Sequence, residues 1–334
     1  MTMQPRDIVV WSHCRSGSTN MCLRLVYGLR WFAFGLIGSD PSQPAARYLG
    51  EGTGQAGTMG TSWRGMGGEI SRYLEDRMHT GGQSIGQVSV PYYTWHLNQQ
   101  GHLSKRPAHG DPWDEIQNRM RIIRDGDWTH PIVFKHMGWP VSKELQQQAT
   151  DCVLQSRKEL YHVCTWRVNL FDWMCSHYFL RKRFDLARVG HNKNFGPHGI
   201  FEWNGEPFRF IKPQFKKNFM ASSARLLDNF CALIRHMPRD KSIMVALEDT
   251  NRLDHISWPN GGELSIPSNQ LLEQEFPDSK TGKNVYLYQG RRIRAADMID
   301  PELLETFREW SQIQERRLDW KNLPAQMGIK TQPG

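Results

Sequence analysis

The chain has 334 residues, 39% of them hydrophobic, with 42 Lys and Arg against 34 Asp and Glu for a net charge of +8. That length allows one large domain or two small ones, and a large domain needs no disulfide or metal to hold it. Thirteen Trp and fifteen Phe exclude a disordered chain, and the positive balance suits an anionic ligand without locating a site for it. The six cysteines are scattered, form no Cys-x-x-Cys pair, and fit a reducing compartment. The N-terminal apolar run is too short for a signal peptide. Arg24 and Arg30 interrupt the longest apolar stretch, so no integral membrane association is expected and the expected location is cytoplasmic.

In chain order, Ile8 to Trp11 reads as a buried strand that ends in a polar turn. Cys22, Leu25, Val26, Leu29, Phe32, Ala33 and Leu36 then recur at helical spacing. Residues 50–68 are Gly-rich and read as a loop, the start of an irregular insertion near 50–110. Ile132 to Phe134 predicts a second strand ending at Lys135-His136, and Leu160 to Thr165 a third. Phe171, Met174, Cys175, Tyr178 and Phe179 mark the buried stripe of the helix that follows. A second irregular insertion is expected near 190–215. After it, Leu226, Leu227, Phe230, Cys231 and Ile234 mark a helix, and Ile243 to Leu247 a fourth strand ending in Glu248-Asp249. Residues 255–290 read as loop-rich, and Pro301 to Leu318 as the last helix. Strands alternating with helices predict an α/β fold with a parallel sheet covered on both faces, in a single domain over 1–334.

Two junctions carry candidate chemistry. Cys14-Arg15-Ser16-Gly17-Ser18-Thr19 joins the first strand to its helix. Backbone N–H groups at a helix start, a Gly turn, hydroxyls and a guanidinium form a cradle for phosphate or sulfate, although Ser and Thr also cap helices for local reasons. The phosphate-loop pattern G-x-x-x-x-G-K-[ST] is absent, because no Lys follows Gly17. The second junction is Trp166-Arg167-Val168-Asn169-Leu170-Phe171, with Ser176 further along the helix. At 100° per residue Ser176 lies about 140° from the Phe171 stripe, on a face open to a ligand. Arg plus Ser there can bind a second phosphate, and an ordinary ion pair is the competing reading for Arg167.

A strand followed by R-S-G-S-T, then R-x-N-L-F with a Ser nine positions after the Arg, resembles the sulfotransferases, nearest to their bacterial nodulation-type and trehalose-type branch. The resemblance implies a P-loop-like sheet and transfer of a sulfuryl group from 3′-phosphoadenosine-5′-phosphosulfate to a hydroxyl. It places Arg15, Ser16, Gly17, Ser18 and Thr19 on the 5′-phosphosulfate, and Arg167 and Ser176 on the 3′-phosphate. Val245 to Asp249 is similar to the family's late strand with its acidic pair. Phe134-Lys135-His136-Met137 is similar to the branch's F-K-x-M block. It offers His136 as general base, with Lys135 and Arg15 stabilising charge, though His136 directly follows the Lys instead of lying two positions on. Glu51 is the alternative base. The expected acceptor is a carbohydrate or small molecule, with homo-oligomers open and no metal or nucleic acid expected. Lys280, Lys283, Arg291 and Arg292 form a late basic cluster that reads as a solvated face, since the family's R-K-G signature is absent. A nucleotide kinase or other P-loop phosphotransferase, and a non-catalytic binding or assembly protein with the same fold, are the alternatives.

Overall fold

The computed structural model describes residues 7–13, 16–18, 20–22, 24–25, 28–29, 47–49, 132–137, 147, 150–151, 153–155, 159–188, 200–210, 213–269 and 285–332. At 47–49, 132, 134–137, 180–188, 200 and 285 it gives the backbone path. Its main sheet contains β1 (Asp7–Ser12), β2 (Arg47–Leu49), β3 (Ile132–Met137), β4 (Leu160–Trp166), β6 (Ser242–Ala246) and β11 (Lys330–Thr331). The strand order is β11-β6-β4-β1-β3-β2, and every neighbouring pair is parallel. The expected α/β class with a parallel sheet is what the chain forms.

Alternation along the strands explains the two-sided burial. Val9 and Trp11 of β1, Cys164 and Trp166 of β4, and Met244 and Ala246 of β6 belong to one core. Ile8 and Val10, Tyr161 and Val163, and Ile243 and Val245 belong to the other. A parallel sheet covered on both faces requires apolar residues at consecutive positions, and that is why these strands read as unbroken apolar runs. Helices α1 (Leu170–Arg188), α2 (Pro213–Ile234) and α3 (Pro301–Leu318) supply the first core, through Trp173, Phe230 and Phe307 among others. Met21, Cys22, Leu25 and Leu29, in the helical residues after β1, supply the second.

Helix α3 keeps its expected bounds. Asp300 accepts hydrogen bonds from the backbone N–H groups of Glu302 and Leu303, and Pro301 fills the first helical position, where a missing N–H costs nothing. Leu226, Leu227, Phe230, Cys231 and Ile234 are buried in α2, as their spacing predicts. Among the described residues, no helix is long and apolar enough to cross a membrane.

Other expectations need correction. The excursion expected near 190–215 contains β5 (Ile200–Glu202), which pairs with β9 (Val285–Tyr288). The loop-rich 255–290 stretch contains the β7 (His255–Ser257) and β8 (Glu263–Ser265) hairpin. These elements were missed because short strands of a few residues carry too little periodicity to be read. β3 continues to Met137, so Lys135 and His136 lie inside a strand whose residues pair with Val10 and Trp11 of β1.

The strand order also fixes where the connections diverge. From β1 the chain passes to β2 and β3 on one side, and from β4 it proceeds to β6 on the other. Ligands of open α/β sheets enter where the connections diverge, at the carboxyl ends of two neighbouring strands. Here those strands are β1 and β4.

Candidate functional site

Three turns meet at this edge, because β1, β4 and β6 are consecutive neighbours and end level with one another. Ser12 pairs with Thr165 and Trp166 with Ala246. The residues just beyond include His13, Ser16 and Gly17, the 167–169 turn and the 3₁₀ turn Leu247–Asp249.

The first turn is tight and enclosed. Ser16 is buried, its hydroxyl donates to the carbonyl of His13 at 2.8 Å, and its oxygen lies 3.0 Å from Thr165 Oγ1 on β4. Since Ser16 has one proton and gives it to His13, Thr165 is the donor in that second bond. The Ser16 side chain is therefore committed to protein partners, which corrects the expectation that its hydroxyl faces an anion. Gly17 has φ +80°, in the left-handed region, and its carbonyl accepts the first helical hydrogen bond, from Met21 N at 3.0 Å. The positive φ is what calls for glycine; a Cβ there would meet Leu247 Cδ1 at 2.4 Å, the end of a side chain that can shift. Ser18 opens the helical residues and is buried. Cys14, Arg15, Thr19 and Glu51 lie outside the described residues.

His13 connects this loop to the second turn. Its ring is buried edge-on to Trp173, Phe230 and Trp320, and its Nε2 accepts from the backbone N–H of Arg167 at 3.2 Å. Trp320 closes the arrangement by donating from Nε1 to the Arg167 carbonyl at 2.9 Å. Arg167 thus has both backbone groups fixed by aromatic residues distant in sequence, while its side chain remains about one-fifth exposed.

The second turn carries the charges. Glu248 Oε2 accepts from Val168 N at 3.2 Å and its Oε1 from Asn169 N at 3.1 Å, and Oε1 lies 4.0 Å from Arg167 Nε. Asn169 caps α1, accepting from Asp172 N through its side chain and from Trp173 N through its carbonyl. Ser176 departs from expectation. Residues 173–179 are buried all round, so Ser176, 7% exposed, lies within the packing of α1 and not on an open face. The helix sits between the sheet and α3 and buries more than one stripe, a packing decision that the spacing alone does not reveal.

Lys135 and His136 are consecutive residues of β3, level with Val10 and Trp11 of β1. Of the late basic cluster, Arg291 and Arg292 are exposed on β10 (Arg291–Ile293), as a solvated face, and Lys280 and Lys283 lie outside the described residues. The exposed Arg294 donates to Asp297, which raises the Arg294 pKa. A surface groove of about 460 Å³ between Gln312, Arg316, Asp319 and Asn322 lies along the end of α3, and no residue of the three turns lines it.

Behind the edge the groups are buried. Trp11 Nε1 donates to His162 Nδ1 at 2.8 Å, and burial, with a smaller effect from Lys241, pushes the His162 pKa down to about 3. Burial likewise raises the Cys175 and Cys231 thiols to about 12, which makes them inert packing groups. Sequence reasoning singled out neither His13, Thr165 nor Trp320. Only Glu248 left a signal, as part of the acidic pair after the fourth strand. No protein-family model matches the chain, and no curated protein gives a significant match.

Proposed function

We propose that the chain is a sulfotransferase with a P-loop-like sheet, moving a sulfuryl group from 3′-phosphoadenosine-5′-phosphosulfate to a hydroxyl-bearing acceptor, a carbohydrate or small molecule. The observation that carries this reading is the link between the two junctions: Ser16 bonds Thr165, and Arg167 N–H bonds His13. Two turns that can each serve an anion are thereby held side by side at one strand edge. A donor with anionic groups at both its 5′ and 3′ ends needs two such turns at a fixed separation. The absence of a Lys after Gly17 favours this over phosphotransfer, because nothing at that position reaches a γ-phosphate.

In the reaction the acceptor oxygen attacks sulfur in line, the bond from sulfur to the bridging phosphate oxygen breaks, and the acceptor proton passes to a base. His136 or Glu51 takes that proton in this reading. Arg15 and Lys135 are the groups assigned to the charge that builds on the leaving phosphate. Gly17 supports the first site by letting the backbone turn closely beneath a phosphosulfate, and Arg167 supports the second.

Titration calorimetry with 3′-phosphoadenosine-5′-phosphate, ATP and GTP tests the assignment. The first should bind and the other two should not. Arg167→Ala should weaken 3′-phosphoadenosine-5′-phosphate by about 2–5 kcal/mol while leaving adenosine-5′-phosphosulfate nearly unchanged. Equal losses for both nucleotides, or preferential binding of ATP, overturn it.

A further inference from the structure

The turn after β6 touches both junctions at once. Leu247 packs against Gly17, and the next residue, Glu248, bonds the backbone of Val168 and Asn169. The turn is itself fastened from the other side of the sheet. The buried guanidinium of Arg24 donates to the carbonyls of Thr250, Leu253 and Pro267. Asn20 donates to Asn269, which donates in turn to Asn251. Thr250 Oγ1 closes the turn on the Leu247 carbonyl at 2.7 Å. A carboxylate projecting from so fixed a base is a rigid reference point for whatever it holds.

What it holds is the peptide that bears Arg167. The two amides captured by Glu248 directly follow Arg167, and the 4.0 Å approach to Arg167 Nε adds a weaker restraint on the side chain. We infer that Glu248 is a positioning residue of the second anion site: it acts through Arg167, fixing the 167–169 turn so that the guanidinium is presented towards a 3′-phosphate. This inference rests on the donor assignment above. Glu248 does not touch the nucleotide, and as an anion it would repel a phosphate placed against it. Its effect comes from ordering the turn before the ligand arrives, and this lowers the cost of binding.

Glu248→Ala and Glu248→Gln, each checked for folding by near-UV circular dichroism, separate positioning from a general structural role. Glu248→Ala should weaken 3′-phosphoadenosine-5′-phosphate about tenfold, the scale on which groups that orient a ligating residue act, with adenosine-5′-phosphosulfate changed by less than about twofold. Hydrogen exchange at the Val168 and Asn169 amides should accelerate by about tenfold in the same variant without nucleotide. Glu248→Gln keeps one acceptor oxygen and should recover most of the affinity, to within about threefold of the parent chain. Unchanged affinity in Glu248→Ala, unchanged amide exchange, or equal loss for both nucleotides overturns the inference alone. A parent chain that binds neither nucleotide overturns the donor assignment, and this inference with it.

Discussion

At the end of β1 the chain turns through Gly17 at φ +80°, with Ser16 buried and its hydroxyl bonded on both sides. At the end of β4 it turns instead beneath two partly exposed charges, Arg167 and Glu248, 4.0 Å apart. The first turn is fixed by backbone conformation and packing. The second is fixed by a carboxylate on its amides and by His13 and Trp320 on the Arg167 backbone, with its two charges left partly exposed. The sheet brings the two together, and His13 and Trp320 bridge them: the bond from Arg167 N–H to His13 belongs to both turns. Stability is expected to reside in the first turn and ligand discrimination in the second.

Removing the bridge should have the largest effect. Trp320 is fully buried, touches His13 and Phe230, and holds the Arg167 carbonyl. Trp320→Ala should cost about 3–5 kcal/mol of stability in denaturant unfolding, from lost burial and the cavity left behind. A loss below about 1 kcal/mol would show that the two turns do not depend on it.

The contrast between the turns can be tested next. Gly17→Ala forces a Cβ into the left-handed region and against Leu247, and should cost about 1–3 kcal/mol with no ligand present. Arg167→Ala removes a partly exposed ion contact, and should cost less than about 1 kcal/mol while abolishing most nucleotide discrimination. Thermal unfolding of the two variants side by side decides the matter, and the reverse order would break the contrast.

A pH-dependent effect resides in the strands that carry the turns. His162 on β4 accepts from Trp11 on β1 and has its pKa pushed from 6.5 down to about 3, chiefly by burial. The unfolded chain therefore takes up a proton that the folded chain refuses. Stability from this group is fully present above pH 6.5 and is lost as the pH falls from 6.5 towards about 3. His162→Asn should flatten that part of the stability profile measured by denaturant titration at stepped pH. A profile as steep as the parent's would assign the dependence to other groups.

Long elements were legible from the sequence because their signals repeat. The α3 stripe and its Asp300-Pro301 start, the α2 stripe, and the apolar runs of β1, β4 and β6 all state their burial in residue spacing. The turn containing Gly17 was legible too, since few residues other than glycine tolerate its conformation. The strands β5, β7 and β8 were not, because three residues carry no period and form a strand only where another supplies the partner.

The candidate site divides in the same way. The sequence by itself determined the kind of sheet, the position of two strand-to-helix junctions, and the residue types available there to meet an anion, since these follow from local conformation and from chemistry carried by single side chains. Only the tertiary structure decided that Ser16 turns inward to Thr165 and that α1 buries Ser176. It also decided that Lys135 and His136 continue a strand, and that Glu248, from the turn after the neighbouring strand β6, fastens the turn after Arg167. Each of those outcomes depends on which strands become neighbours, and a contact between residues some eighty positions apart, as between Asn169 and Glu248, leaves no periodic trace along the chain.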